Sequence, residues 1–348
     1  MLPQIFKNST FQYVFGLMIV ILLLVCSISL GSVSISFGEI LSYFFSSTQI
    51  NTITHSIISE IRIPKTITAL AAGIALSISG YLLQTLFRNP LASPSTMGIS
   101  SGASLGVAFI MLGSSAGISS ITALHFFDVS SVILASIFGA FVTTFIILVI
   151  SLRVTSMTTL ILVGFMIGTI NTAIVGIWQY ITSPDQLQAF FLWSMGSLHS
   201  ANLSQSVLLF SITICVSIVV IAFSKQITIL TLGEEFAKSM GVSVQKIRFL
   251  ILLFSSILTG AVTAFCGPIG FVGIIIPHIV RYIVQSNDTK KNIPLIMLYG
   301  SSFLLLCDII TSLLSHTFPL PISLVTSIIG APIVLWILMT KSFYSSVN

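Results

Sequence analysis

Residues 230–281 read LTLGEEFAKSMGVSVQKIRFLILLFSSILTGAVTAFCGPIGFVGIIIPHIVR. The stretch opens on a short charged piece, LGEEFAKSMG, and enters an apolar run from Ile247 to Cys266. It breaks at Cys266-Gly267-Pro268 and closes on Pro277, His278 and Arg281. A run of about 20 apolar residues is the length that crosses a bilayer as a helix. Gly267-Pro268-Ile269-Gly270-Phe271-Val272-Gly273 cannot stay regular helix throughout. Irregular backbone at membrane depth is tolerated only where protein or a water-filled cavity covers it. A charged helix joined to a broken membrane segment reads as the place where an outside machine takes hold.

The rest of the chain agrees with a membrane setting. Its 348 residues are 55% hydrophobic and only 6% charged, with a mean hydropathy of +1.12. A soluble domain carries about 25% charged residues, so this is an all-α polytopic membrane protein, and long apolar runs without strict alternation exclude a barrel. Ten segments are expected, near 11–31, 62–86, 94–112, 129–151, 157–181, 203–223, 246–266, 272–286, 293–315 and 321–341, in a single transmembrane domain over 1–348. The run from Phe11 to Leu30 is longer than a signal-peptide core and reads as a retained first helix.

With the N-terminus in the cytoplasm, eleven of the thirteen basic residues fall on the cytoplasmic side, and only Arg62 and Lys65 fall outside. That bias follows the positive-inside rule for an even number of spans and puts both termini in the cytoplasm. The net charge of +5 is spread singly over segment ends and is no nucleic-acid signature. Cys26, Cys215, Cys266 and Cys307 lie in apolar segments without metal-ligand spacing, so no metal site is expected. The outer loops contain two short-helix candidates, SFGEILSYFF and Pro184–Trp193, with Trp178, Tyr180 and Trp193 suited to an interface belt.

Four motifs stand out. Arg62-Ile63-Pro64-Lys65 opens the second segment. It reads equally as an interface anchor with proline in the first turn or as a docking point for acidic residues of another protein. Gln84, within the second segment, precedes the turn Asn89-Pro90-Leu91-Ala92; an intramembrane amide is more often helix–helix glue than pore lining. Leu232–Val242 carries Glu234 and Glu235 in its first turn, Lys238 at i+4 from Glu234, Phe236 and Met240 on one face, and Gly241 to end it. It reads as a surface helix or as one that fits a groove on a cytoplasmic partner. His278 and Arg281 follow the break at Gly267, Pro268 and Gly270 and read as structural, near Pro277. Small residues at helical spacing, such as Gly98, Gly102 and Gly106, favour close packing over a sliding surface. No GxxxxGK[ST] is present, so ATP cannot be bound by a P-loop. Intramembrane acids are nearly absent, Asp308 being the clearest, which disfavours an ion-coupled carrier.

Together, RIPK at 62–65, GYLLQTLFRNPLASPSTMGISSGA at 80–103, LWSMGSL at 192–198, LGEEFAKSMGV at 232–242, GPIGFVGIIIPHIVR at 267–281, Asp308 and VTSIIGAPIVLWIL at 325–338 resemble the permease subunits of type II ABC importers for iron-siderophores, haem and cobalamin. The resemblance covers essentially the whole chain. It implies a dimer of permeases, homo- or heteromeric, two cytoplasmic ATPase subunits that bind ATP and Mg, an external substrate-binding protein, and no cofactor or chemistry in this chain. It implies a coupling helix at Leu232, Gly233, Glu234, Glu235, Phe236, Ala237, Lys238, Met240 and Gly241, and docking cations at Arg62 and Lys65. Thr155, Ser156 and Thr158 fall where the family places a cytoplasmic gate. Gln84, Asn89, Pro90 and Asn171, with the residues of the broken segment, are pathway or packing candidates.

The sequence departs from the family where docking is concerned. Lys65 stands where arginine is usual, Ser312 at a position often arginine, and Pro319 where glutamate is common. A second, different permease supplying these charges would account for that. The expected function is an importer permease in a bacterial cell membrane, with a ferric siderophore as leading cargo and haem or cobalamin as alternatives. An ion-coupled secondary transporter and a non-transporting scaffold are the rivals from other classes.

Overall fold

The structure is a computed structural model that describes residues 9–31, 33, 35–45, 52–113, 129–151, 153–154, 156–314 and 320–339. Its helices are α1 (Ser9–Ser29), α2 (Phe37–Phe45), α3 (Thr52–Ser56), α4 (Ile63–Phe87), α5 (Ile99–Leu112), α6 (Val129–Ser151), α7 (Met157–Ile181), α8 (Pro184–Ser194), α9 (Leu203–Ala222), α10 (Ser224–Thr231), α11 (Glu234–Ser239), α12 (Val244–Cys266), α13 (Val272–Val284), α14 (Thr289–Leu314) and α15 (Ile322–Met339). A π-helical stretch, Ile57–Arg62, joins α3 to α4 without a break. Among the described residues, seven helices are long and apolar enough to cross a membrane and three shorter ones are apolar. They match the ten expected segments in order. The exposed side chains of α1 and α6 are large and apolar, such as Leu22, Leu134 and Phe138, as a lipid-facing surface requires.

Helix α4 is the axis of the fold. It packs against α9, α12, α13 and α14, and its residues from Ala71 to Phe87 are all buried. Its sequence explains the position, because a helix surrounded by helices needs small side chains on several faces. A Cβ at Gly73 would overlap the Gly300 carbonyl, and one at Gly80 would overlap the Gly273 carbonyl. The same contact recurs where α5 meets α6, with Gly102 against Gly139 and Gly106 against Ala135. The glycine spacings are therefore sites of close helix packing.

Several segment ends differ from expectation. The second helix runs back to Thr52, and Arg62 is drawn inward onto the last two carbonyls of α1 and that of Val33. The third begins only at Ile99. Residues 94–98 form turns in which the Pro94 carbonyl accepts from the Ile99 and Ser100 amides, and Gly98 sits at φ 71, where L side chains are strained. Both expected short outer helices are present, as α2 and α8. Ser36 and Glu39 exchange hydrogen bonds at the start of α2, forming a capping box. The Ser36 hydroxyl, then its amide, hold the Glu39 carboxyl below the usual carboxylate range.

Candidate functional site

Helix α11 lies between α10 and α12, outside the long spans. Its flanking glycines have positive φ, 131 at Gly233 and 77 at Gly241, conformations that favour glycine. Ala237 is its one buried residue. Leu232, Phe236 and Met240 are exposed by 60%, 46% and 58%, so the face expected to meet a partner is uncovered. The ion pairs differ from the expected pairing of Lys238 with Glu234. Lys238 Nζ bonds Glu235 Oε1 at 2.7 Å, which raises the lysine above its usual range. Glu234 Oε1 instead takes Arg248 Nη2 of α12 at 2.6 Å. Arg248 also donates to Ser151 Oγ at the end of α6, at 3.4 Å. From the other side, Arg88 Nη2 donates to the Leu230 carbonyl at 3.1 Å.

The broken segment is irregular from Gly267 to Phe271. Gly267 has φ 72, and a Cβ there would overlap the Trp193 carbonyl. The carbonyl freed at the end of α12, that of Cys266, accepts from the Ser197 amide at 2.9 Å. Trp193 is partly buried and donates from Nε1 to the Ala264 carbonyl at 3.4 Å. The start of the break is thus covered by the end of α8 and the loop after it, as a non-helical backbone in a membrane protein favours. Gly270 is less constrained, with nothing within 4 Å of a Cβ built on it, and Pro268 is partly exposed.

Helix α13 continues through Pro277. Proline has no N–H, so the carbonyl four residues earlier loses its helical donor. That carbonyl belongs to Gly273, and Gln84 Nε2 supplies the bond at 3.0 Å. His278 is buried, with Nδ1 2.7 Å from the Ile274 carbonyl. The guanidinium of Arg281 lies 5.6 Å from the centre of the Tyr81 ring. Gln84 thus joins α4 to α13, Arg281 meets Tyr81 across the same interface, and the bond of His278 to Ile274 stays within α13. Asn89 accepts from the Leu91 amide at 2.8 Å and closes a turn with Pro90. Asn171 donates to Thr143 Oγ1 at 3.0 Å and Ser101 Oγ at 3.4 Å, tying α7 to α6 and α5. Of the gate candidates, Thr155 lies outside the described residues. Ser156 accepts from the Thr159 amide at 3.4 Å and caps α7, and Thr158 is exposed.

Arg62 and Lys65 are not free outer cations. Arg62 is buried, and its guanidinium donates to the Ile28 and Ser29 carbonyls at 2.5 and 2.6 Å and to the Val33 carbonyl. Lys65 is 3% exposed and pairs with Asp308 Oδ2 at 3.0 Å, with a further bond to Ser312 Oγ at 2.8 Å. Ser27 donates to the same Asp308 oxygen at 2.9 Å. The reason is charge balance. An aspartate inside the bundle needs a cation, which Lys65 supplies, and Ser312 accepts from the same ammonium while donating to the Asp308 backbone carbonyl. The expected docking pair is thus satisfied within the chain.

Residues 19–340 match the FecCD transport family. The chain belongs to that family. This FecCD permease is 34% identical to the hemin transport system permease protein of Yersinia pestis, over 94% of its own length and 95% of the relative's. It is 30% identical to the molybdate import system permease protein of Haemophilus influenzae, over 92% and 94% of the two chains. A solved metal-chelate type ABC transporter in an inward-facing conformation superposes with a TM-score of 0.79 at 29% identity, covering 92% of the FecCD permease and 96% of that chain. The chain is accordingly a multi-pass ABC importer permease, and membership of the family implies ATPase and binding-protein partners. The sequence legibly marked α11, Gln84 and the break. It did not mark the contacts of Arg88 and Arg248 or the Lys65–Asp308 pair, whose partners lie on other helices.

Proposed function

We propose that this FecCD permease forms, with a second permease subunit, the translocation pathway for a metal chelate, with a ferric siderophore as first candidate. The observation that carries the reading is α11, a short helix outside the long spans, with Phe236 exposed on it and Leu232 and Met240 exposed just before and just after it. Three large apolar side chains exposed over about nine residues are costly in water and suit a groove on an ATPase subunit. On this reading α11, the basic segment ends and both termini face the cytoplasm. ATP binding and hydrolysis occur in the partner, and this chain turns the resulting movement of α11 into alternate opening of the pathway. Chelate cargo is supported by the hemin relative and the metal-chelate transporter. The molybdate relative makes an oxyanion the competing cargo.

Uptake by a deletion strain complemented with this chain and its co-encoded subunits tests the cargo, using labelled ferric siderophores, haemin, cobalamin and molybdate in parallel. The expected result is ATP-dependent accumulation of a ferric siderophore, lost on deletion. Accumulation of haemin, cobalamin or molybdate alone would replace that cargo. Gradient-driven transport by this chain alone in vesicles, without ATP, would refute the importer mechanism. Co-purification from the native host distinguishes a homodimer, with one permease species, from a heterodimer.

A further inference from the structure

Helix α11 has six residues, too few to hold as a helix by itself in water. It buries one alanine and is flanked by glycines. Anything that pushes on it would be lost in its linkers unless other side chains fix it. Two arginines do so, Arg248 directly at Glu234 and Arg88 through the Leu230 carbonyl of α10, beside Gly233 at the start of α11.

Arg88 follows the last residue of α4 at φ 46, a left-handed conformation that L residues seldom adopt. From there its guanidinium meets the Leu230 carbonyl at 3.1 Å, at the C-terminal end of α10 where a cation is favoured. A Cβ on Gly233 would stand 3.2 Å from the same Arg88 Nη2, so the glycine also leaves room for it. Arg248 lies in the second turn of α12. Its fork binds Glu234, in the first turn of α11, at 2.6 Å and Ser151, the last residue of α6, at 3.4 Å. Its side chain is 14% exposed and that of Glu234 is 30% exposed, so this pair is less screened than the solvated Lys238–Glu235 bridge. That second bridge joins two residues of α11 itself and connects it to nothing.

We propose that Arg88 and Arg248 are positioning residues, two struts that make α11 move as one body with α4 and with α12 and α6. The proposal rests on the reading of α11 as the helix driven by an ATPase, and it adds the parts through which the drive would pass. Arg88 reaches the buried axis of the fold, and Arg248 reaches the helix that leads to the break.

Hydrogen–deuterium exchange tests it in two arms. The first uses the full chain alone in lipid nanodiscs, with the amides of the α12 core as internal reference for folding. Arg88→Gln and Arg248→Gln should each speed exchange of α11 by about tenfold, whereas Lys246→Gln, the same charge loss at an exposed site, should stay within about twofold. The swap Glu234→Arg with Arg248→Glu should restore most of the protection that Arg248→Gln removes. Unchanged α11 exchange in both strut variants overturns the proposal.

The second arm uses the complex with its ATPase, with and without ATP and vanadate. In the native chain, α11, the last turn of α4 and the first turns of α12 should respond together. In the double variant Arg88→Gln/Arg248→Gln, α11 alone should respond. A full response of α4 and α12 in that variant overturns the struts. No response of α11 in the native complex would sink the coupling reading instead, leaving the first arm to decide whether the struts exist.

Discussion

Gln84 replaces the hydrogen bond that Pro277 removes. Its Nε2 lies 3.0 Å from the carbonyl of Gly273, four residues before the proline. This one contact joins the axial helix α4 to the helix that follows the break, and it gives an intramembrane amide a structural reason to be where it is. Gln84→Leu should cost about 1–3 kcal/mol by leaving a buried carbonyl unpaired. Pro277→Ala restores the missing N–H, so Gln84→Leu should cost less in that background. Thermal unfolding in detergent across the double-mutant cycle measures the difference; strictly additive effects would contradict the pairing.

The close approach of α4 to its neighbours predicts a sharp contrast among glycines. Gly80→Ala places a methyl on the Gly273 carbonyl and should cost about 1–3 kcal/mol or more by overpacking. Gly270→Ala meets nothing within 4 Å and should stay within about 0.5 kcal/mol. Size-exclusion profile and melting temperature report both.

Lys65 and Asp308 form a pair almost without solvent, 3% and 1% exposed. Lys65→Met strands a buried carboxylate and should destabilise the fold by about 3–5 kcal/mol, while Lys65→Met with Asp308→Leu should recover much of that loss. A melting temperature unmoved by Lys65→Met, with only binding-protein affinity reduced, would instead favour the docking role that the sequence suggested.

Exposed apolar residues on and just after α11 should behave in the opposite way. Phe236→Ser and Met240→Ser remove exposed side chains and should change stability by no more than about 0.5 kcal/mol. Both should weaken co-purification of the ATPase, and a proline at Phe236 should abolish uptake. Retained uptake with proline at that position would remove α11 from the transport cycle.

The ten apolar helical segments, the break at 267–271 and the surface helix were legible in the sequence because they depend on local properties: run length, glycine and proline, and a charged interruption in an apolar chain. The composition fixed the solvent, and lipid leaves an uncharged chain little choice but helices. What each charge does was not legible. Arg62 and Lys65 have the same sequence signature whether they face water or turn inward, and their partners at Ile28 and Asp308 belong to other helices. Lys238 could have reached either glutamate, and Arg248 decides by occupying Glu234. Periodicity says that a helix forms, but only packing selects the face it buries. In a bundle with so few charges, the tertiary structure therefore decided which of them hold the protein together and which remain at its surface.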